Sequence, residues 1–169
     1  LINQLLNEVG DDVDQLPVLQ HTLMRIWDHW ENDHEEGEPI DIRHYESVGG
    51  LNHALSQHAD EVFRELGTAQ AQLLCERIFK ALTECGTDGR GIRRPTTMAT
   101  LCQIVDGSVG EVLAVLDAFR KVGRTFVMPQ EEVPIESTTV VDISHESLMR
   151  VWQRLRKWVD EESQSVRVY

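Results

Sequence analysis

The sequence predicts a mainly helical protein in which a helical subdomain is followed by a second domain with one β-hairpin. Long stretches repeat apolar residues at three- and four-residue spacing, which is typical of helices with one buried face. Glycines such as Gly49, Gly50 and Gly67 separate these stretches. Two short runs rich in β-branched residues, 124–128 and 138–143, flank a polar loop and therefore predict a hairpin.

Composition limits the classes of function. The chain has 169 residues, is 41% apolar and carries a net charge of −13 from 16 basic and 29 acidic residues. This charge argues against a nucleic-acid partner or an anionic membrane surface. The odd set Cys75, Cys85 and Cys102 has no CxxC spacing, which predicts reduced thiols in a cytoplasmic protein. No apolar run has the length of a membrane span. Leu1 already lies in a helical pattern, so we expect a fragment of a larger protein.

The first predicted domain covers residues 1–67 and is all-helical. A first helix ends at the break Gly10-Asp11-Asp12. A second helix is expected over 16–32 and is opened by Pro17, a position that suits proline. The second helix carries one apolar stripe, made of Leu16, Leu19, Leu23, Ile26, Trp27 and Trp30. Residues 28–41 hold seven acidic residues and no Lys or Arg, which predicts an exposed loop. A short helix over 42–47 and a long helix after Gly50 complete the domain.

The second predicted domain covers residues 68–169. Helices are expected over 68–85, after a cap at Pro95-Thr96, and from the capping box Ser108…Glu111 to Val122. A turn is expected over 86–91. The hairpin follows, and then one amphipathic helix capped by Ser144 that runs through Trp158. Three helices followed by a hairpin is the order of a winged-helix domain.

A winged helix fits both DNA binding and protein scaffolding. If this domain read DNA, the helix over 109–122 would enter the major groove with basic residues near its start. That helix offers Glu111 and Asp117 before Arg120 and Lys121, so direct readout is the weaker hypothesis. Two alternative functions remain open. One is a winged-helix transcription regulator, and the other is a protein–protein interaction module with an exposed apolar patch.

Candidate sites are few. The chain has no GxxxxGK[ST] phosphate loop, so no hydrolysis is expected of it alone. Its seven histidines lack the spacings of zinc motifs, which predicts no metal site. Ser144 and His145 are adjacent and point apart, which does not suit a catalytic pair. His145 is expected in the first helical turn, beside free N–H groups, where an anion such as a phosphate is stabilised.

Three segments together resemble a known family. They are LPVLQHTLMRIW, YESVGGLNHALSQHADEVF and SHESLMRVWQRLRKWV, in this order. Their order and spacing resemble the region that follows the nucleotide-binding core in novel STAND NTPases, bacterial relatives of the NACHT and NB-ARC ATPases that often precede WD-type repeats. The resemblance covers nearly the whole chain and implies a helical domain followed by a winged-helix domain.

The resemblance also implies two nucleotide-binding residues. Pro17 matches the proline of the GxP motif, which lies against adenine, and Gln15 stands in place of the glycine. His145 matches the histidine of the MHD motif, which contacts the β-phosphate of ADP. Ser144 and Glu146 replace the methionine and the aspartate of that motif.

The function implied is regulatory and not catalytic. The resemblance implies that the region is a lid or sensor that holds ADP and keeps a signal-transduction ATPase closed. The closed form would be one of two states of a hinge, and the bound nucleotide would shift the equilibrium between them. ATP or ADP with Mg²⁺ would be the cofactor of the parent protein, with none in this region itself. Its expected partners are the parent's nucleotide-binding core and a C-terminal repeat domain, for which WD-type repeats are the candidate. Activation could also assemble several copies into an oligomer.

Overall fold

The computed structural model describes the chain except residues 11–14, 87–90 and 168–169. The side chains of Asn52, Cys85 and residues 163–167 are also not described. Its helices are α1 Ile2–Val9, α2 Leu16–Asp33, α3 Ile42–Ser47, α4 Gly50–Glu65, α5 Ala69–Ala81, α6 Met98–Val105, α7 Val109–Arg120, α8 Glu146–Val151 and α9 Gln153–Arg167. Its strands are β1 Thr83–Cys85, β2 Gly91–Arg93, β3 Thr96–Thr97, β4 Val127–Met128 and β5 Val140–Ile143. The predicted mainly helical class is confirmed.

The chain forms two compact units, Leu1–His58 and Ala59–Tyr169. The domain boundary that the sequence predicts near Gly67 stays a prediction. In the first unit, the helices predicted over 1–9 and 42–47 appear as α1 and α3. Pro17 lies in the first turn of α2, as expected for a residue without a backbone N–H.

The apolar stripe of α2 is divided between core and surface. The buried residues of this helix are Val18, His21, Thr22 and Ile26. The predicted residues Leu16 and Leu23 are instead exposed, although Ile26 is buried as part of the core. The buried face is therefore rotated relative to the stripe. Thr22 can lie on this face because its hydroxyl donates to the Val18 carbonyl at 2.8 Å.

The second helix predicted over 16–32 is confirmed, since α2 ends at Asp33. The loop predicted over 28–41 is therefore wrong for its first six residues, which belong to α2. Local contacts explain the extension. The ring of Trp30 stacks on His34 with centroids 4.0 Å apart, and its indole nitrogen donates to the Glu38 carbonyl at 3.0 Å. These contacts anchor the helix end although its acidic residues repel one another.

A tight turn joins α3 to α4. Gly49 and Gly50 both have positive φ, 85° and 64°, a conformation in which glycine is favoured. The Tyr45 hydroxyl accepts from the Leu51 amide at 2.9 Å and donates to the Glu8 carboxylate. A β-carbon at Gly50 would lie 3.0 Å from that hydroxyl, so the turn also requires glycine for space.

In the second unit, Thr68 and Ser108 cap α5 and α7 through their side chains. The predicted Ser108…Glu111 capping box is therefore confirmed. Phe79 of α5 lies at the centre of the core, with ring centroids 4.9 Å from Phe119 and 5.0 Å from Trp152. Edge-on aromatic packing of this kind stabilises a core beyond the burial of area alone.

The helix predicted over 68–85 is too long, since α5 ends at Ala81 and residues 83–85 form β1. The Thr83 hydroxyl donates to the carbonyl of Phe79 at 3.0 Å and so satisfies a free group at the helix end. β1 pairs antiparallel with β2, a hairpin that was not predicted. The turn predicted over 86–91 lies mostly outside the described residues. The cap predicted at Pro95-Thr96 is also displaced, because Thr97 caps α6.

The predicted hairpin is confirmed as an antiparallel pair, with Val127 opposite Ile143 in β4 and β5. Its strands are shorter than the predicted runs. A third strand, β3, pairs antiparallel with the other edge of β5, giving the order β3-β5-β4. Val127, Val141 and Ile143 are buried, so one face of this small sheet contributes to the core.

The final predicted helix is not continuous. It was expected to run from a cap at Ser144 through Trp158, but the helix is interrupted at Trp152, where the backbone is extended with a ψ of 102°. The N-cap is His145 and not Ser144, because the Ser144 amide donates to the Phe126 carbonyl at 3.0 Å and so prolongs the β4–β5 contact by one residue. His145 is thus placed just before the first helical turn.

Candidate functional site

His145 lies at the junction of β5 and α8. Its backbone is extended, with φ −141° and ψ 139°, and its carbonyl accepts from the Leu148 amide at 3.1 Å. Its side chain is exposed and makes no capping hydrogen bond. The helix that follows has only six residues, so its end is too short to form an anion site by itself. Any interaction of His145 with an anion therefore depends on the imidazole and on the side chains around it.

The environment of His145 favours the neutral form of the imidazole. Protein atoms remove part of its hydration, and the positive charge of Arg93 adds to this effect, so both lower the pKa of His145 from its ordinary value of about 6.5. The neutral form has one N–H donor and one acceptor nitrogen. Such a ring can donate one hydrogen bond to a phosphate oxygen without becoming charged.

Arg93 is the neighbour that sequence reasoning missed. It lies in β2, and its Nη1 donates to Asp142 Oδ2 at 2.8 Å and to the Ile143 carbonyl at 3.3 Å. A β-carbon on Gly91 would lie 3.5 Å from Met149 Sδ, so β2 packs closely against α8. The only signal in the sequence was the short alternation of Gly91-Ile92-Arg93 after a turn.

The charges near His145 are largely balanced. Asp142 pairs with Arg93, and Glu146 pairs with Arg150 at 3.6 Å across one turn of α8. The second oxygen of Asp142, Oδ1, is buried and has no hydrogen-bond partner. The site therefore presents a neutral imidazole and a guanidinium that is partly neutralised, rather than a strongly positive pocket.

Pro17 is half-buried in the first turn of α2. Gln15 occupies the N-cap position, and its side chain makes no capping hydrogen bond to the described residues of α2. Pro17 belongs to the unit Leu1–His58 and His145 to the unit Ala59–Tyr169. That both contact a nucleotide stays a prediction.

Histidines and cysteines also occur elsewhere among the described residues. Within the described ranges, no group of three or more His, Cys, Asp or Glu residues is arranged to hold a metal. His21 Nε2 and His58 Nδ1 lie 3.1 Å apart and both rings are buried, a pair that their separation in sequence did not predict. Cys75 and Cys102 are free thiols, and burial raises the pKa of each. The predicted thiol of Cys85 lies outside the described side chains.

In the part of the chain that the structure describes, no single helix has both the length and the apolar content of a bilayer span. Only α6 and α7 taken together reach that composition, and their axes are bent by 108°.

Comparison with known proteins gives one match. The family model of novel STAND NTPase 1 matches residues 1–169, the whole chain. No curated protein and no solved structure matches. The resemblance of the three sequence segments is thereby confirmed at the level of the family. The chain belongs to the novel STAND NTPase 1 family.

Proposed function

We propose that this chain is a regulatory, non-catalytic region of a STAND signal-transduction ATPase, and that it helps to hold ADP and keep the protein closed. The match of the family model to the whole chain carries the proposal. In this reading the phosphate loop and the magnesium ion belong to a nucleotide-binding core outside these residues. ATP and ADP with Mg²⁺ are ligands of that parent protein.

The order of elements in the second unit supports a winged-helix domain. Three helices, α5 to α7, precede the antiparallel pair β4 and β5, and β3 completes the sheet. On α7 the exposed residues near the start are Val109, Gly110 and Glu111. A helix start with no basic side chain is poorly suited to phosphates or bases of DNA, which favours a scaffolding role over direct readout.

His145 is the residue that we propose to contact the β-phosphate. Its imidazole is exposed and is not used as a helix cap, and its surroundings lower its pKa and so favour the neutral form. A hydrogen bond to a charged acceptor contributes roughly 1.5–3 kcal/mol. Loss of this bond would weaken ADP retention by about 10- to 150-fold, since each 1.4 kcal/mol is a factor of ten. Pro17, half-buried at the start of α2, would lie against the adenine.

The test is the dissociation rate of labelled ADP from the full-length protein. His145→Ala should release ADP faster and shift the population towards the open state, because one contact specific to the closed state is lost. Glu136→Ala, a change at an exposed residue in the same unit, serves as the matched control. Equal rates for wild type and His145→Ala would refute the proposed contact.

A further inference from the structure

Helix α2 presents an apolar seam to solvent. Leu16, Leu23 and Trp27 are 54%, 44% and 49% exposed, and they lie on one side of the helix because they are seven and four residues apart. Leu19 and Trp30, both half-buried, continue the same line. We call the set Leu16, Leu19, Leu23, Trp27 and Trp30 the α2 seam. Large exposed apolar side chains that form a continuous line indicate a surface for a partner.

The spacing of the α2 seam suits another helix. Successive members are three, four, four and three residues apart, an average of 3.5 residues. This is the period at which two helices pack side by side over several turns. An 18-residue helix is long enough to present the seam over its whole length. The shape of the surface therefore fits an α-helical partner better than an extended one.

The C-terminal end of the seam is strongly negative. Residues 28–41 contain seven acidic residues and no Lys or Arg, and no basic residue lies in the last turn of α2. Carboxylates there add to the negative end of the helix dipole and are not offset by it. Asp28 and Glu31 follow Trp27 by one and four residues. The nearby Arg43 is already paired with Glu38.

The aromatic end of the seam is held in place before any partner binds. The Trp30 indole donates to the Glu38 carbonyl and its ring stacks on His34, while the Trp27 and Trp30 centroids lie 5.2 Å apart. A fixed indole face that is half exposed and flanked by carboxylates is a favourable site for an Arg or Lys side chain. Preorganisation reduces the entropy that binding costs.

We propose that the α2 seam and its acidic end bind an amphipathic helix of a partner protein that carries apolar residues at heptad spacing with Lys or Arg beside them. Charge complementarity selects this occupant. A second copy of the chain would also bring an apolar seam, but it would add another net charge of −13. The proposal goes beyond the nucleotide-dependent function and does not depend on it.

The experiment uses the 169-residue chain and three synthetic peptides of about three heptads each. The first carries Leu at the a and d positions and Lys elsewhere, the second replaces every Lys by Glu, and the third keeps the composition of the first but scrambles its Leu positions. Affinities are measured by isothermal titration calorimetry at about 0.15 M salt, where long-range charge effects are screened. The protein variants are Leu23→Gln/Trp27→Gln and the control Val122→Gln, which alters a side chain that is 77% exposed in the other unit.

The patterned Lys peptide should bind wild type and Val122→Gln equally, and should bind the double variant at least roughly tenfold more weakly, as loss of a central aromatic anchor requires. The Glu peptide should not bind. Equal affinity of the double variant would overturn the proposal, as would equal affinity of the scrambled Lys peptide, since both would show attraction by net charge alone. Sedimentation equilibrium that detects a dimer abolished by the double variant would assign the seam to a second copy and would also overturn it. Far-UV circular dichroism checks that every variant is folded.

Discussion

The indole nitrogen of Trp152 donates a 2.8 Å hydrogen bond to Oδ1 of Asp60, a residue 92 positions earlier in the chain. The same oxygen accepts from Arg154 Nε at 2.8 Å, and the Arg154 guanidinium lies 4.3 Å from the centre of the Phe63 ring. One carboxylate thus joins the end of α4 to the break between α8 and α9. The extended backbone at Trp152 directs its ring into the core beside Phe79 and Phe119.

Trp152→Ala should lower the free energy of unfolding by about 3–5 kcal/mol, because a completely buried ring is replaced by a cavity. Urea denaturation of the 169-residue chain measures the change. Trp27→Ala, at a ring that is 49% exposed, is the control and should cost about 1 kcal/mol or less. An unchanged midpoint for Trp152→Ala would contradict the packing described for this ring.

Asp60→Ala should lower the free energy of unfolding by about 1–3 kcal/mol, because the Trp152 N–H is left buried without an acceptor. The contact with Arg154 adds less, since both charged side chains are about one-third exposed and screened by solvent. The same substitution in a Trp152→Phe background should cost clearly less, since phenylalanine has no N–H to satisfy. Equal costs in the two backgrounds would exclude the hydrogen bond as the cause.

The imidazole of His145 should titrate below about 6.5 in NMR spectra of the folded chain, since lost hydration and Arg93 both disfavour its charged form. Arg93→Gln should raise this pKa part of the way, because it removes only the second cause. A pKa above the ordinary histidine value in the wild-type chain would contradict the environment described here.

The lowered pKa of His145 also predicts the sign of a pH effect on stability. Below about pH 6.5 the unfolded chain takes up the His145 proton more readily than the folded chain does. The free energy of unfolding should therefore fall as pH falls through this value, and should level off once the folded-state pKa is passed. The difference between wild type and His145→Gln in urea denaturation, measured from pH 7.5 to about pH 5, isolates the effect. The sign would be opposite to the expected one if the free energy of unfolding of His145→Gln, relative to wild type, increased as the pH rises.

The two described thiols should differ in reactivity. Cys75 is completely buried and burial raises its pKa strongly, whereas Cys102 is only partly covered. Because the thiolate is the reactive species, Ellman's reagent should modify Cys102 first and Cys75 only after unfolding. The measurement uses a Cys85→Ser background, and Cys102→Ser in that background should abolish the early phase. Modification of Cys75 in the native chain at a similar rate would contradict its burial.

Binding to DNA should be weak, because affinity for DNA depends mainly on neutralising phosphates and the chain carries −13. Gel shifts at about 0.15 M salt should show no complex tighter than about 10⁻⁴–10⁻⁶ M, the non-specific range. A sequence-selective complex with nanomolar affinity would instead support the transcription-regulator alternative.

Sequence signals that act over a few residues were sufficient to predict much of the fold. Pro17 marks the start of α2, Gly49 and Gly50 mark the turn before α4, and the Ser108…Glu111 box marks the start of α7. Each of these signals acts through hydrogen bonds or backbone angles within a few residues. The sequence alone also determined the negative charge and the heptad spacing of the α2 seam, and its three segments indicated the family.

Tertiary structure decided what depends on distant residues. The break at Trp152 arises where the ring enters the core and finds Asp60, which the uninterrupted apolar pattern of 148–159 did not reveal. The β1–β2 hairpin brings Arg93 beside Asp142 and so changes the surroundings of His145. Which residues of the α2 stripe remain exposed also depends on packing. Periodicity shows that a helix has an apolar side, but only the neighbouring helices determine which part of that side is covered.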